Sequence, residues 1–207
     1  MKFNKKKRLI INLIGFFYLL FGVSAIVNTI YQNNSAPLLW FCYVGMILLG
    51  IGALRKDSLL VASQLNILAI PLIVWTIDLI YGLIMGQTLF GVVDYFFLPG
   101  PLLGKIISLQ HLFTIPLGIY LLFLVKLKRK DAWKLSFVTL IILFLITRIF
   151  TLEIDNINCV YQSCINYSIG NGIYPFIWFA VSFLGVFITN KIIIKFLKKP
   201  KKSKISL

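Results

Sequence analysis

A chain of 207 residues that is 59% hydrophobic and 13% charged, with a mean hydropathy of +0.93, is far from the roughly 45–50% apolar and about 25% charged make-up of a soluble domain. Composition excludes a soluble globular protein and places the chain in a bilayer. The formal net charge of +15 does not argue for nucleic acid, because no folded basic domain is there to present it.

Apolar runs close to the roughly 20 residues that cross a hydrocarbon core recur at about 9–30, 37–54, 58–85, 108–126, 134–152 and 173–196. They predict an all-α, polytopic membrane protein with six transmembrane helices in a single membrane domain over residues 1–207, ending in a basic tail at 197–207. In the first run, Val23, Ser24 and Ala25 resemble a signal cleavage site, but the run outlasts the roughly 7–15 residues of a signal core. It is therefore expected to be retained, with Gly15, Gly22 and Ala25 as a small-residue strip for a neighbouring helix. In the second, Cys42 continues a small-residue face with Gly45 and Gly52.

The third run spaces Gln64, Pro71 and Asp78 at intervals of seven, with Trp75 and Tyr81 flanking Asp78 on the same face. Pro71 predicts a kink, since it removes one backbone hydrogen bond and crowds Ile67. The segment GQTLFGVVDYFFLPGPLLGKI that follows is punctuated by glycine and proline and reads as a lid on the outer mouth of the bundle. The fourth run carries Ser108, His111, Thr114 and Gly118 at helical spacing. The fifth carries Ser136, Thr139, Thr147 and Thr151, with Arg148 near its end, and the sixth Tyr174, Trp178, Ser182, Gly185 and Thr189.

Of the 21 Lys and Arg residues, only Lys105 and Arg148 fall outside four clusters at alternate ends of the runs. The positive-inside rule then places both termini and the two basic loops in the cytoplasm of a cell membrane. The expected partners are membrane lipids, with anionic headgroups meeting the cationic cytoplasmic face.

The polar residues collect on the opposite side. Asp78, Asp94, His111, Arg148, Glu153, Asp155, Asn156, Asn158 and Tyr161 all fall in the outer third or the outer loops. One reading is a pocket open to the outside in which His111, whose imidazole titrates near neutrality, acts as acid, base or ligand donor. The other is a structural network, with Arg148 paired to Asp78 or Glu153 and His111 satisfied by a loop carbonyl. As a catalytic base His111 needs a nucleophile; Ser108 shares its face and Cys42 lies at similar depth. One histidine and two loop cysteines match no zinc spacing, and no residue pattern implies a cofactor. Cys159 and Cys164 share one outward loop, where an oxidising exterior permits a disulfide.

Five fragments in order, WTID (75–78), GQTLFGVVDYFF (86–97), SLQHLFTIP (108–116), NINCVY (156–161) and Thr189-Asn190, resemble the motifs of a prokaryotic family of uncharacterised multi-pass membrane proteins. The resemblance covers about residues 64–195. It implies functional weight at Trp75, Asp78, Asp94, Tyr95, His111, Asn156, Asn158 and Tyr161, and departs from the family at Asn190, where a histidine is usual, and at Cys159, usually aromatic. It implies no activity. The residues themselves favour a pocket for a lipid headgroup or small polar ligand, with a membrane hydrolase or acyltransferase based on His111 as the alternative, and a small transporter or envelope scaffold behind that.

Overall fold

A computed structural model describes residues 4–165 and 172–197. The basic tail from 198 onward and part of the last polar loop therefore lie outside the described residues. The described chain is helical, with no strand. The main elements are α1 (Lys5–Tyr31), α2 (Phe41–Arg55), α3 (Ser58–Met85), the single turn α4 (Asp94–Phe97), α5 (Leu102–Ser108), α6 (Gln110–Val125), α7 (Ala132–Phe150) and α8 (Tyr174–Leu197). Helices α1, α3, the joined pair α5 and α6, α7 and α8 are long and apolar enough to cross a membrane.

Two boundaries differ from the sequence reading. The second apolar run begins with a 3-10 turn at Ala36–Leu39, and its helix covers only 15 residues, about 22 Å at the α-helical rise. The fourth run starts six residues earlier than its apolar stretch, because α5 leads into α6 through Leu109, which keeps right-handed helical torsions. Part of the expected lid thus belongs to a spanning helix. Pro71 lies inside α3, which continues unbroken past it.

The turn between α2 and α3 is two residues long, Lys56 and Asp57. Lys56 adopts a left-handed conformation that ends α2, and the Asp57 carboxylate caps α3 by accepting from the amides of Leu59 and Leu60. Helix α2 consequently folds back along α1. Gly15 lies against Ala53 and Leu54, Gly22 against Ile47, and Gly50 against Leu19, an antiparallel register. A Cβ on Gly22 would sit 2.7 Å from the Ile47 side chain, so the small-residue strip read from the sequence is what allows the two backbones to approach.

Helix α3 is the centre of the bundle, touching α2, α6, α7 and α8. Residues 61–69 are buried all round, whereas Ile70, Ile73, Ile77, Ile80, Leu83 and Ile84 lie exposed farther along. Gly118 of α6 and Gly185 of α8 make room for Leu65 and Ile70 of α3. The bundle has two unlike ends. One gathers the basic residues 5–8, 55–56 and 126–134; there Arg129 forms a two-point pair with Asp131 at 2.7 and 3.0 Å and holds that carboxyl below its ordinary range. The other, the loop-rich end, gathers the segments after α1, α3 and α7.

Candidate functional site

The acidic residue at the heart of the predicted constellation is fully buried, and its carboxylate is already engaged. Asp78 Oδ1 accepts from the amides of Leu89 and Phe90, each at 2.7 Å, and Oδ2 accepts from Val93 at 3.1 Å. An ionised carboxylate collecting three backbone donors makes strong, charge-assisted bonds. The loop geometry follows from it. Gly86 takes the left-handed conformation that stops α3, residues 88–93 fold back over the carboxylate, and Val93 packs with Trp75 and Leu79. Asp94 opens α4 and accepts from the Thr88 hydroxyl. Phe97 then lies on Gly82, where a Cβ would be 2.6 Å away.

A relay of hydrogen bonds joins this loop to α5. Trp75 Nε1 donates to the Tyr95 hydroxyl at 2.9 Å, Tyr95 donates to Ser108 Oγ at 3.1 Å, and Ser108 donates to the Gly104 carbonyl at 2.9 Å. The His111 ring lies 4.5 Å from the Trp75 ring, centroid to centroid. Its Nδ1 is 2.6 Å from the backbone carbonyl of Ser108. A carbonyl can only accept, so Nδ1 carries the proton and Nε2 is left as an acceptor in the neutral ring. The loop carbonyl imagined for His111 is thus one from its own helix region. Because the Ser108 hydroxyl is spent on Gly104 and Tyr95, Ser108 and His111 do not form a nucleophile–base pair.

The third polar segment is an interlocked cap. Asn158 adopts a left-handed backbone (φ 56°) and uses its carboxamide as a surrogate peptide: Oδ1 accepts from the Phe41 amide at 2.8 Å, and Nδ2 donates to the Leu39 carbonyl at 2.7 Å. Its own carbonyl accepts from Trp178 Nε1 at 3.0 Å. Asn156, also left-handed, accepts from the amides of Tyr161 and Gln162 and donates to the Gln162 carbonyl. The Tyr161 hydroxyl lies 2.9 and 2.7 Å from the carbonyls of Arg148 and Thr151, satisfying the frayed end of α7. Asn156 and Asn158 therefore point to backbone partners within the cap and at α2, not toward His111.

Arg148 pairs with neither Asp78 nor Glu153. Its guanidinium stands over the rings of Tyr161 and Phe144, at 4.9 and 5.5 Å, an arrangement stabilised by the ring quadrupole. Cys159 and Cys164 are joined, with their Cα atoms 5.5 Å apart. The Cys159 carbonyl accepts from the Tyr174 hydroxyl at 2.7 Å, so the disulfide loop is tied to the first turn of α8. Replacing both cysteines with serine is expected to lower stability by roughly 2 kcal/mol, the entropy of so small a closed loop. The check is the thermal midpoint in detergent, with and without a thiol reductant: wild type falls to the level of the double variant, and the double variant does not respond.

None of Asp78, His111, Arg148 and Asn158 bonds to another of the four. A groove of about 340 Å³ opens at the loop-rich end, lined by Asn28 and Gln32 of α1, Tyr43 of α2, Tyr95, residues 98–101, and Gly104, Lys105 and Ser108 of α5. Of the predicted ligand-binding residues only Tyr95 reaches it. Asn28 accepts from Gln32 through its carbonyl oxygen, leaving its amide nitrogen as a donor beside the groove. Lys105 donates to the Leu98 carbonyl at 2.7 Å, and its ammonium has further protons to give. The chain matches no family model, no curated protein and no solved structure.

A second polar cluster sits inside the bundle toward its basic end. Asn66 Nδ2 donates to Ser136 Oγ and Asn190 Oδ1 at 3.3 and 3.2 Å, Ser136 donates to the Ser63 carbonyl, and Asn190 donates to the Lys130 carbonyl. The Asn66 carboxamide oxygen is buried without a partner. This cluster joins α3, α7 and α8, and such buried polar contacts specify one helix arrangement. The sequence reading missed Asn66 because it lies off the face defined by Gln64, Pro71 and Asp78. It missed Asn28 and Gln32 as well, although their four-residue spacing at the end of α1 puts two carboxamides on one face.

Proposed function

We propose that this protein crosses the cell membrane six times, with both termini and the basic loops in the cytoplasm, and that its outward groove binds a lipid headgroup or a small polar ligand. The antiparallel packing of α2 along α1 supports six crossings despite the short helix, because α2 and its preceding 3-10 turn together return the chain from one end of α1 to the other. The Lys and Arg clusters at the basic end favour the cytoplasmic orientation and contact with anionic inner-leaflet lipid. The five motif fragments keep the kinship with uncharacterised multi-pass prokaryotic membrane proteins within this proposal, without adding an activity.

The observation that carries the binding reading is the groove itself: the Asn28 amide nitrogen, the Lys105 ammonium with protons beyond its bond to the Leu98 carbonyl, and the side chains of Tyr43 and Tyr95 line one opening. A lining in which amide, ammonium and hydroxyl groups alternate with leucine, proline and glycine suits a polar headgroup or a small polar ligand. A hydrolase reading through His111 and Ser108 has no nucleophile–base contact to rest on, and an ion-transport reading through Asp78 has no free carboxylate oxygen.

Gly104 offers a clean test. A Cβ there meets only the Asn28 side-chain nitrogen, at 3.8 Å, so Gly104→Leu fits the helix while filling the groove. Wild type purified in mild detergent is expected to retain phospholipid detectable by native mass spectrometry, and Gly104→Leu to lose at least half of it at an unchanged melting temperature. Identical lipid complements in the two proteins, with no polar ligand shifting the wild-type melting temperature alone, would remove the reading.

A further inference from the structure

A second groove, sharing no lining residue with the first, lies between α3 and α6. It has a volume of about 240 Å³ and is lined by Leu72, Ile73, Thr76 and Ile77 of α3 and His111, Leu112, Ile115 and Pro116 of α6. Its neighbours Ile70, Ile80 and Phe113 are exposed, so it opens sideways onto the apolar flank of the bundle rather than at an end. No charged residue lines it.

The hydrogen-bonding capacity of its polar atoms is one-sided. Nδ1 of His111 is committed to the Ser108 carbonyl. Nε2 has no hydrogen-bond partner among the described residues, yet it is not among the enclosed unpartnered atoms, so it is reachable from outside. The Thr76 hydroxyl proton is committed to the Leu72 carbonyl at 2.7 Å, which leaves lone pairs on its oxygen. The groove therefore offers acceptors at its upper part, toward the loop-rich end, and hydrocarbon below them, where Leu72, Ile115 and Pro116 sit nearer the middle of their helices. Trp75 stacks against the imidazole and fixes the ring.

We propose that this groove is a lateral docking site for a neutral, hydroxyl-bearing membrane lipid such as diacylglycerol, whose hydroxyl donates to His111 Nε2 while an acyl chain runs along Leu72, Ile115 and Pro116. The acceptor-only polarity selects a donor, and the lack of any charged lining residue disfavours a phosphate headgroup, whose desolvation would go uncompensated. The polar atoms lie on the side nearer the loop-rich end, the orientation that an outer-leaflet lipid brings with its head.

The test uses the full chain in phosphatidylcholine nanodiscs and a diacylglycerol carrying a photoreactive group in one acyl chain, with its O-methyl ether as the donor-free control. The free hydroxyl lipid is expected to label peptides containing residues 72–77 or 111–116 about five-fold more than the ether, the factor of one ordinary hydrogen bond. His111→Phe keeps an aromatic ring for Trp75 and should bring both lipids to the ether level. Gly104→Leu, which fills the other groove, should leave labelling unchanged. Equal labelling by alcohol and ether in wild type, equal labelling by a photoreactive phosphatidylglycerol, or loss of labelling in Gly104→Leu would each overturn the assignment. The alcohol–ether comparison involves no substitution, so it holds whether or not His111→Phe folds.

Discussion

Asp78→Ala is expected to be the most destabilising single substitution in the loop-rich half of the protein, costing roughly 3 kcal/mol or more. Three backbone amides, those of Leu89, Phe90 and Val93, lose their acceptor, and Val93 lies fully buried, where an unpaired amide carries its whole desolvation cost. Asp78→Asn should fall between wild type and alanine. The carboxamide oxygen can still receive Leu89 and Phe90, but its amino group then opposes the Val93 amide. Thermal unfolding in detergent gives the ranking, and limited proteolysis in the 86–101 segment gives the location. Cleavage there should rise in the order wild type, asparagine, alanine. Were Asp78 instead an ion site, both variants would retain the wild-type melting temperature and cleavage pattern.

Asn158→Ala is expected to cost about 3 kcal/mol through a different route. The substitution removes the acceptor for the Phe41 amide and the donor for the Leu39 carbonyl, and it puts a Cβ-bearing residue without local side-chain bonding in a left-handed conformation, itself worth about 1 kcal/mol. Asn158→Gly separates the two contributions, since glycine accepts the backbone but makes no side-chain bond. It should recover about 1 kcal/mol of the loss and no more. Full recovery would mean that the carboxamide bridge to α2 contributes nothing. The bridge crosses a sequence separation of 117 residues, so its loss should also free the start of α2, read as faster amide hydrogen exchange at Phe41.

Both predictions concern residues that sequence reasoning marked as ligand-binding candidates. Their polarity in an apolar chain singled them out, and the structure gives both of them backbone partners. A buried carboxylate or carboxamide needs partners, and a ligand is only one source of them. Here the partners are amides and carbonyls of loops and of helix ends, whose backbone groups have no partner within a helix. Trp75, Asp94, Asn156 and Tyr161 also take partners in a turn, a helix end or a loop, while Tyr95 both bonds to Trp75 and Ser108 and lines the groove at the loop-rich end. The WTID, DYFF and NINCVY fragments accordingly read as the fastenings of a cap. His111 differs, because one of its nitrogens remains open to a groove.

Other elements were legible because they depend on residue type and spacing alone. The apolar runs at 58–85, 134–152 and 173–196 are helices of nearly those limits. The strip of Gly15, Gly22 and Ala25 is buried, and Cys159 is joined to Cys164. The second run misled at its start, since Pro37 and Trp40 are apolar enough to extend a hydropathy window but form a 3-10 turn and a helix cap. The fourth misled because Gly104 and Lys105 lowered the window average across a helix that continues through them.

By itself, then, the sequence determined the helical, membrane-directed character of the chain, a small-residue packing face on its first helix and two loop cysteines close enough to pair, because hydropathy, the missing side chain of glycine and a short cysteine spacing act locally. Tertiary structure decided which polar groups meet. Asp78 and His111 lie on adjoining helices, yet the carboxylate turns to three loop amides while the imidazole turns to its own helix and a sideways groove. That outcome rests on the path of loops whose free backbone groups compete for every buried polar side chain within reach, a competition that no linear spacing records.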